Sequence, residues 1–109
     1  MLTLDETLYY YDEPLLATFR DETGALFIGV KVYDPKKEEF SEHDNPYLIT
    51  DLLDSTYQQI INNQIKLHDA FLLGTKWRVY NYDHDDFFFT PVSLKKAQPH
   101  FPGKTYLSR

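Results

Sequence analysis

Three carboxylates and an imidazole fall within four residues at Asp83-His84-Asp85-Asp86, the densest group of chemistry-bearing side chains in the sequence. Such a group can hold a divalent cation through its oxygens, or divide general acid and general base work between carboxylate and imidazole. With His43-Asp44 it would make a two-histidine carboxylate site, suited to a small metal-dependent hydrolase. The competing reading is a solvated hairpin turn, since Asp bonds turn amides and tolerates their backbone angles. The rest of the sequence favours the turn. It contains no His-x-x-x-His spacing, glycine-rich phosphate loop, Gly-x-Ser-x-Gly elbow or dinucleotide fingerprint, and its glycines are only Gly24, Gly29, Gly74 and Gly103. No cofactor and no catalytic residue are expected. His68 and Asp69 are neighbours on one predicted helix, where adjacent side chains point apart.

Two aromatic triplets, Tyr9-Tyr10-Tyr11 and Phe87-Phe88-Phe89, sit in segments with strand character. Side chains alternate across a strand, so each triplet turns at least one ring away from the main core. Either the sheet is covered on both faces, or rings such as Tyr9, Tyr11 and Phe88 anchor a protein partner. On the second reading Asp83, His84, Asp85 and Asp86 join them as candidate partner-binding residues.

Charge narrows the partner. The chain of 109 residues carries a formal charge of −6, but residues 1–94 hold 7 Lys plus Arg against 17 Asp plus Glu, a charge of −10. Lys95, Lys96, Lys104 and Arg109 form a basic end without acids. The acidic part should repel nucleic acid phosphates and anionic membranes, so neither is an expected partner, and base stacking on the aromatics lacks its basic groove. The acids then serve solubility, meet a basic surface on a protein, or imitate a nucleic acid. The absence of cysteine fits a reducing cytoplasm. No run approaches the roughly 18 apolar residues of a spanning helix, and the first seven residues, with two acids and no Lys or Arg, do not resemble a signal peptide.

The elements that must position these residues follow from periodicity. Leu8–Tyr11, Leu15–Arg20 and Leu26–Tyr33 read as a three-stranded antiparallel meander, punctuated at Asp12-Glu13-Pro14 and at Asp21-Glu22-Thr23-Gly24, where Gly24 supplies a positive φ. Leu26, Ile28, Val30 and Val32 share the better core face, while Gly29 marks a bulge or the close approach of an aromatic ring. Asp34–Asn45 is a loop pinned by Phe40, and Pro46–Thr50 is a short fourth strand. A helix follows, capped by Thr50 or Asp51, with Leu53, Tyr57, Ile60 and Ile61 as its apolar stripe and Asn62-Asn63 as its stop. A second helix spans Leu67–Leu73, ended by Gly74 in the left-handed conformation. Lys76–Tyr82 and Phe87–Leu94 make a closing hairpin, with Pro91 fitting an edge. The expected fold is α+β: a curved antiparallel sheet, built from the meander and the hairpin and at its extreme a partial barrel, packed with two short helices. Residues 1–94 form this domain. Residues 95–109 form a basic extended tail, whose Phe101, Tyr106 and Leu107 pin it to its own domain or to a partner.

Tyr10-Tyr11-Asp12-Glu13-Pro14-Leu15-Leu16, followed by a hairpin and later by Ile65-Lys66-Leu67-His68-Asp69-Ala70-Phe71, resembles a family of small uncharacterised bacterial domains over about residues 8–73. That family opens with a Tyr-x-Asp-Gly-Pro-Leu-Leu type of pattern and carries a Ser/Thr-Leu-Arg-Asp-Ala-like helix start. Glu13 stands here in place of Gly, and Lys66 in place of the capping Ser or Thr. The resemblance implies a fold and brings no catalytic residue. The functional expectation is a noncatalytic protein–protein interaction module, accessory or inhibitory in a bacterial or phage system.

Overall fold

A computed structural model describes residues 2–10, 14–32, 46–81 and 89–107. Six strands form one antiparallel sheet in the order β1-β2-β3-β4-β5-β6: β1 Thr3–Tyr10, β2 Pro14–Arg20, β3 Leu26–Lys31, β4 Pro46–Asp51, β5 Trp77–Asn81 and β6 Phe89–Val92. Helix α1, Asp54–Ile61, and helix α2, Leu67–Leu72, lie between β4 and β5 in sequence. Helix α3, Leu94–Ala97, and a 3₁₀ turn, Gln98–His100, follow β6.

This order corrects the expected architecture. Meander and hairpin are not separate pieces of a curved partial barrel, because β4 pairs with both β3 and β5 and joins them into one open sheet. The two end strands, β1 and β6, are not paired with each other, so the sheet does not close.

The β2–β3 hairpin forms as its turn residues require. Gly24 takes φ 87°, and the Asp21 carboxylate accepts from the Thr23 amide (2.9 Å), the Thr23 hydroxyl (2.6 Å) and the Ala25 amide (3.0 Å). Gly29 fits the second of its two sequence readings. A Cβ there would stand 2.8 Å from Phe19 Cε1 and 2.9 Å from Ile49 Cγ2, so the missing side chain makes room for the Phe19 ring.

Both faces of the sheet are buried. On the first, Leu8, Leu16, Leu26 and Ile28 pack with Leu52, Ile60, Leu67, Ala70 and Phe71, while Leu48 and Val79 pack with Ala97. On the second, Phe19 meets Tyr47 edge to face at 5.5 Å and Tyr80 at 6.3 Å, with Leu2, Ala17, Phe27 and Ile49 around them. Leu26 and Ile28 are on the first face as their alternation requires, yet Phe27, on the other, is buried too.

Strand β1 begins five residues before the expected Leu8 and does not alternate simply. Leu4 opposes Phe19 and Glu6 opposes Thr18, so Asp5 is an extra residue in the ladder. The insertion reverses the faces: Leu2 and Leu4 join the second cluster and Leu8 the first.

Helix α1 stops at Asn62-Asn63 as expected, but its start and the end of α2 differ from expectation. Neither Thr50 nor Asp51 caps α1; its N-cap is Leu53, which makes no side-chain cap bond and is 70% exposed. Thr56 and Ile60 are its buried residues, with Tyr57 and Ile61 partly buried beside them. Helix α2 buries Leu67, Ala70 and Phe71 as expected and leaves Leu73 exposed. Gly74 is not left-handed; Gly24 is the glycine with positive φ among the described residues. Instead Gly74 lies against Thr50, whose Cβ and Cγ2 would each be 2.9 Å from an added Cβ. The tail is not extended at its start, where α3 is capped by the Ser93 hydroxyl accepting from the Lys96 amide at 3.3 Å. It folds onto its own domain: the Phe101 ring packs 5.3 Å from Phe71, tilted, and 5.4 Å from His68, edge-on.

Candidate functional site

An open apolar groove of about 440 Å³ lies where the ends of β1, β2 and β3 meet α2 and the C-terminal segment. Tyr9, Leu16, Val30, Leu67, Tyr106 and Leu107 line it, together with Leu15, Lys31, Pro102 and Thr105. Local structure dictates this assembly. A second extra residue, Leu8, lets β1 place Tyr9 opposite Leu16 while Leu8 itself enters the core. On β3, Val30 follows Leu26 and Ile28 on the first face. Leu67 opens α2, and its amide donates to the Thr105 carbonyl at 2.8 Å, which fixes the C-terminal segment as the opposite wall. Leu107 packs against the same cluster as Leu67.

The rim is aromatic. Tyr9 is 56% and Tyr106 44% exposed, while Leu16 and Leu67 form a buried floor. Of the lining residues Lys31 carries a charge, and its ammonium stands 5.4 Å from the ring of its cross-strand partner Tyr47.

A second recess of about 430 Å³, at the β5–β6 end of the sheet, is lined by Thr75, Lys76, Trp77, Arg78, Pro91, Val92, Ser93 and Leu94. Its groups have structural duties. The Trp77 indole donates to the Phe71 carbonyl at 3.0 Å, the Arg78 guanidinium lies 5.6 Å from the Phe27 ring, and Ser93 caps α3. Thr75 and Lys76 are held by Asp51, whose carboxylate accepts from both amides (2.9 and 3.1 Å) and from the Thr75 hydroxyl (3.0 Å). Partial burial raises the Asp51 pKa, but the Thr75 and Lys76 donors outweigh it and hold the group below its ordinary value. The Thr50 hydroxyl, with one proton to give, is 2.7 Å from the Lys76 carbonyl and 3.2 Å from Asp51. Both expected α1 caps are therefore engaged with the α2–β5 connection, which is why α1 starts without them.

Of the residues singled out in the sequence, Tyr9 is at the groove. Tyr11, His43, Asp83, His84, Asp85, Asp86 and Phe88 lie outside the described residues. Tyr10, expected on the face opposite Tyr9, is also exposed, at 64%. His68 and Asp69 do approach each other, with Nδ1 and Oδ1 3.8 Å apart, beyond hydrogen-bond distance. The imidazole is largely covered and packs edge-on against Phe101. No group of three His, Cys, Asp or Glu that could hold a metal occurs among the described residues. No described helix is long and apolar enough to cross a membrane.

Sequence reasoning missed the groove because its lining comes from five separate segments and consists mainly of residues that any core uses. One signal did point to it. Phe101, Tyr106 and Leu107 are spaced to seek an apolar surface, and Tyr106 and Leu107 line the wall. Comparison of this chain with family models, curated proteins and solved structures finds no match.

Proposed function

We propose that this chain is a noncatalytic protein–protein interaction module, an accessory or inhibitory protein of a bacterial or phage system, and that it docks its partner at the groove between Tyr9 and Tyr106. The observation that carries the reading is the contrast between a buried aliphatic floor and two exposed phenol rings on the rim. Interfaces concentrate their energy in such places, where an apolar anchor is desolvated and rigid aromatic rings exclude water around it. A volume of about 440 Å³ is within the usual range for a binding pocket.

Addition of a partner strand to the sheet is a poorer fit. Edge strand β1 has three register shifts, and edge strand β6 is 4 residues long and contains Pro91. Bulges, short length and proline each spoil an edge for further pairing.

Affinity capture from host extract, run in parallel with wild type and a Tyr9→Ser/Tyr106→Ser variant of unchanged circular dichroism, tests the proposal. A partner held by wild type and released by the variant supports it. A partner held equally by both removes the groove from the interface. Stoichiometric divalent metal in the purified chain would favour the hydrolase reading instead.

A further inference from the structure

We infer that the segment received by the groove carries bulky apolar side chains next to an acidic one, whose carboxylate meets Lys66 and Lys104; this rests on the groove being the docking site. The apolar requirement follows from the lining. The acidic requirement follows from what flanks it. Lys66 and Lys104 each precede a lining residue, Leu67 and Thr105, and the backbone hydrogen bond between those two residues brings the chain at both lysines to the border of the same wall, outside the lining itself. Both are exposed, and neither forms an ion pair among the described residues. Lys31, which lines the groove with its ammonium 5.4 Å from the Tyr47 ring, adds a third positive charge beside it.

Charges near the groove, rather than the net charge of −6, decide what meets this wall, because salt screens the distant ones. Asp21 and Asp51 are at the far end of the strands, where Thr3 opposes Arg20, whereas Tyr9 opposes Leu16 at the groove. Asp5 and Glu6, on β1 between these ends, are engaged, Asp5 by Thr18 and Arg20 and Glu6 by the Tyr57 hydroxyl. From Leu16 to Asp21, five residues of strand at about 3.3 Å each make roughly 16 Å, twice the Debye length of about 8 Å at physiological salt. Asp69 is the acid on α2, three residues beyond Lys66, with its carboxylate beside His68. The described C-terminal residues, 93–107, add Lys95, Lys96 and Lys104 and no acid. Asp12 and Glu13, which separate β1 from β2, lie outside the described residues.

Selection of phage-displayed random 12-residue peptides on the full chain, with counter-selection on Tyr9→Ser/Tyr106→Ser, tests the inference. The expected winners pair Leu, Phe or Trp with Asp or Glu. A synthetic winner should lose about two- to fivefold in affinity for each of Lys66→Gln and Lys104→Gln, the scale of one exposed ion pair. Its Asp→Asn counterpart should be indifferent to both substitutions, as a coupled pair demands. Groove-dependent winners that are purely apolar or rich in Lys and Arg, or a winner unaffected by both lysine changes, would overturn the inference and leave the groove reading standing. If no winner depends on Tyr9 and Tyr106, both fail.

Discussion

The Leu67 amide donates its 2.8 Å hydrogen bond to Thr105, so α2 finds a partner for one of its orphan N–H groups in the C-terminal segment. Lys66, the N-cap, offers no side-chain bond. One contact thus caps a helix and builds a wall of the groove. A chain ending at Gly103 should lose this cap and the packing of Leu107, together about 1–2 kcal/mol. That corresponds to a melting temperature lower by roughly 5–10 °C, with faster hydrogen exchange at the Leu67 amide. An unchanged melt and unchanged exchange would show that the segment does not support α2.

The first face of the sheet holds the aliphatic core. Ile28 and Ile60 are both fully buried, so Ile28→Ala and Ile60→Ala should each cost about 2–5 kcal/mol in urea unfolding. Leu53, once placed on the same helical stripe as Ile60, is 70% exposed. Leu53→Ser should stay within about 0.5 kcal/mol of wild type. Equal losses at Leu53 and Ile60 would contradict the exposed N-cap position of Leu53.

Gly74 is constrained by contact rather than by backbone conformation. Its absent Cβ leaves room for Thr50, which is fully buried and bound to the Lys76 carbonyl. Gly74→Ala should therefore destabilise by about 1–3 kcal/mol through overpacking. A helix-terminating glycine in the left-handed region would accept Asn well. Gly74→Asn should instead be at least as damaging as Gly74→Ala, and a milder effect of Asn would restore the helix-terminator reading.

Asp51 links stability to pH. Its donors hold its pKa in the folded chain below the ordinary carboxylate value, so the unfolded chain takes up the proton more readily than the folded one. The resulting stabilisation is present above the unfolded pKa and is lost as pH falls through the folded value. Asp51→Asn should cost on the order of 1 kcal/mol at pH 7, a figure already discounted for the partial exposure of the carboxylate. The gap between variant and wild type should narrow below about pH 4. Urea midpoints at pH 7, 5 and 3 measure it, and a constant gap would remove Asp51 as its source.

How far the sequence could be read depended on whether a residue's partner is near in the chain. The Asp21–Gly24 turn and the inward positions of α2 are local matters, and both were legible. Gly29 was legible only in part, since a bare backbone within an apolar strand fits a bulge as well as the ring that Phe19 places there. The start of α1 was not legible, because Asp51 reaches across to Thr75 and Lys76, and a carboxylate before a helix looks the same whether it caps or not. The faces of β1 were hidden for a similar reason: an extra residue at Asp5 is defined by its opposite strand. Pairing of β4 with β5 across two helices made one sheet of what local signals had divided into a meander and a hairpin. Six of the seven candidate partner-binding residues lie outside the described chain; Tyr9 alone of them is seen at the groove.

Each strand of this sheet pairs only with strands adjacent to it in sequence. In kinetic terms, assembly never requires the distant ends of the chain to find each other first, so each ladder adds its hydrogen bonds against a limited closure entropy. The β2–β3 hairpin, closed by the Asp21 turn, is the natural first unit, and β4 and β5 wait on the longer connections. In pulse-labelled refolding, amides of Thr18 and Ile28 should therefore gain protection before those of Leu48 and Val79. The opposite order would place the nucleus at the helices.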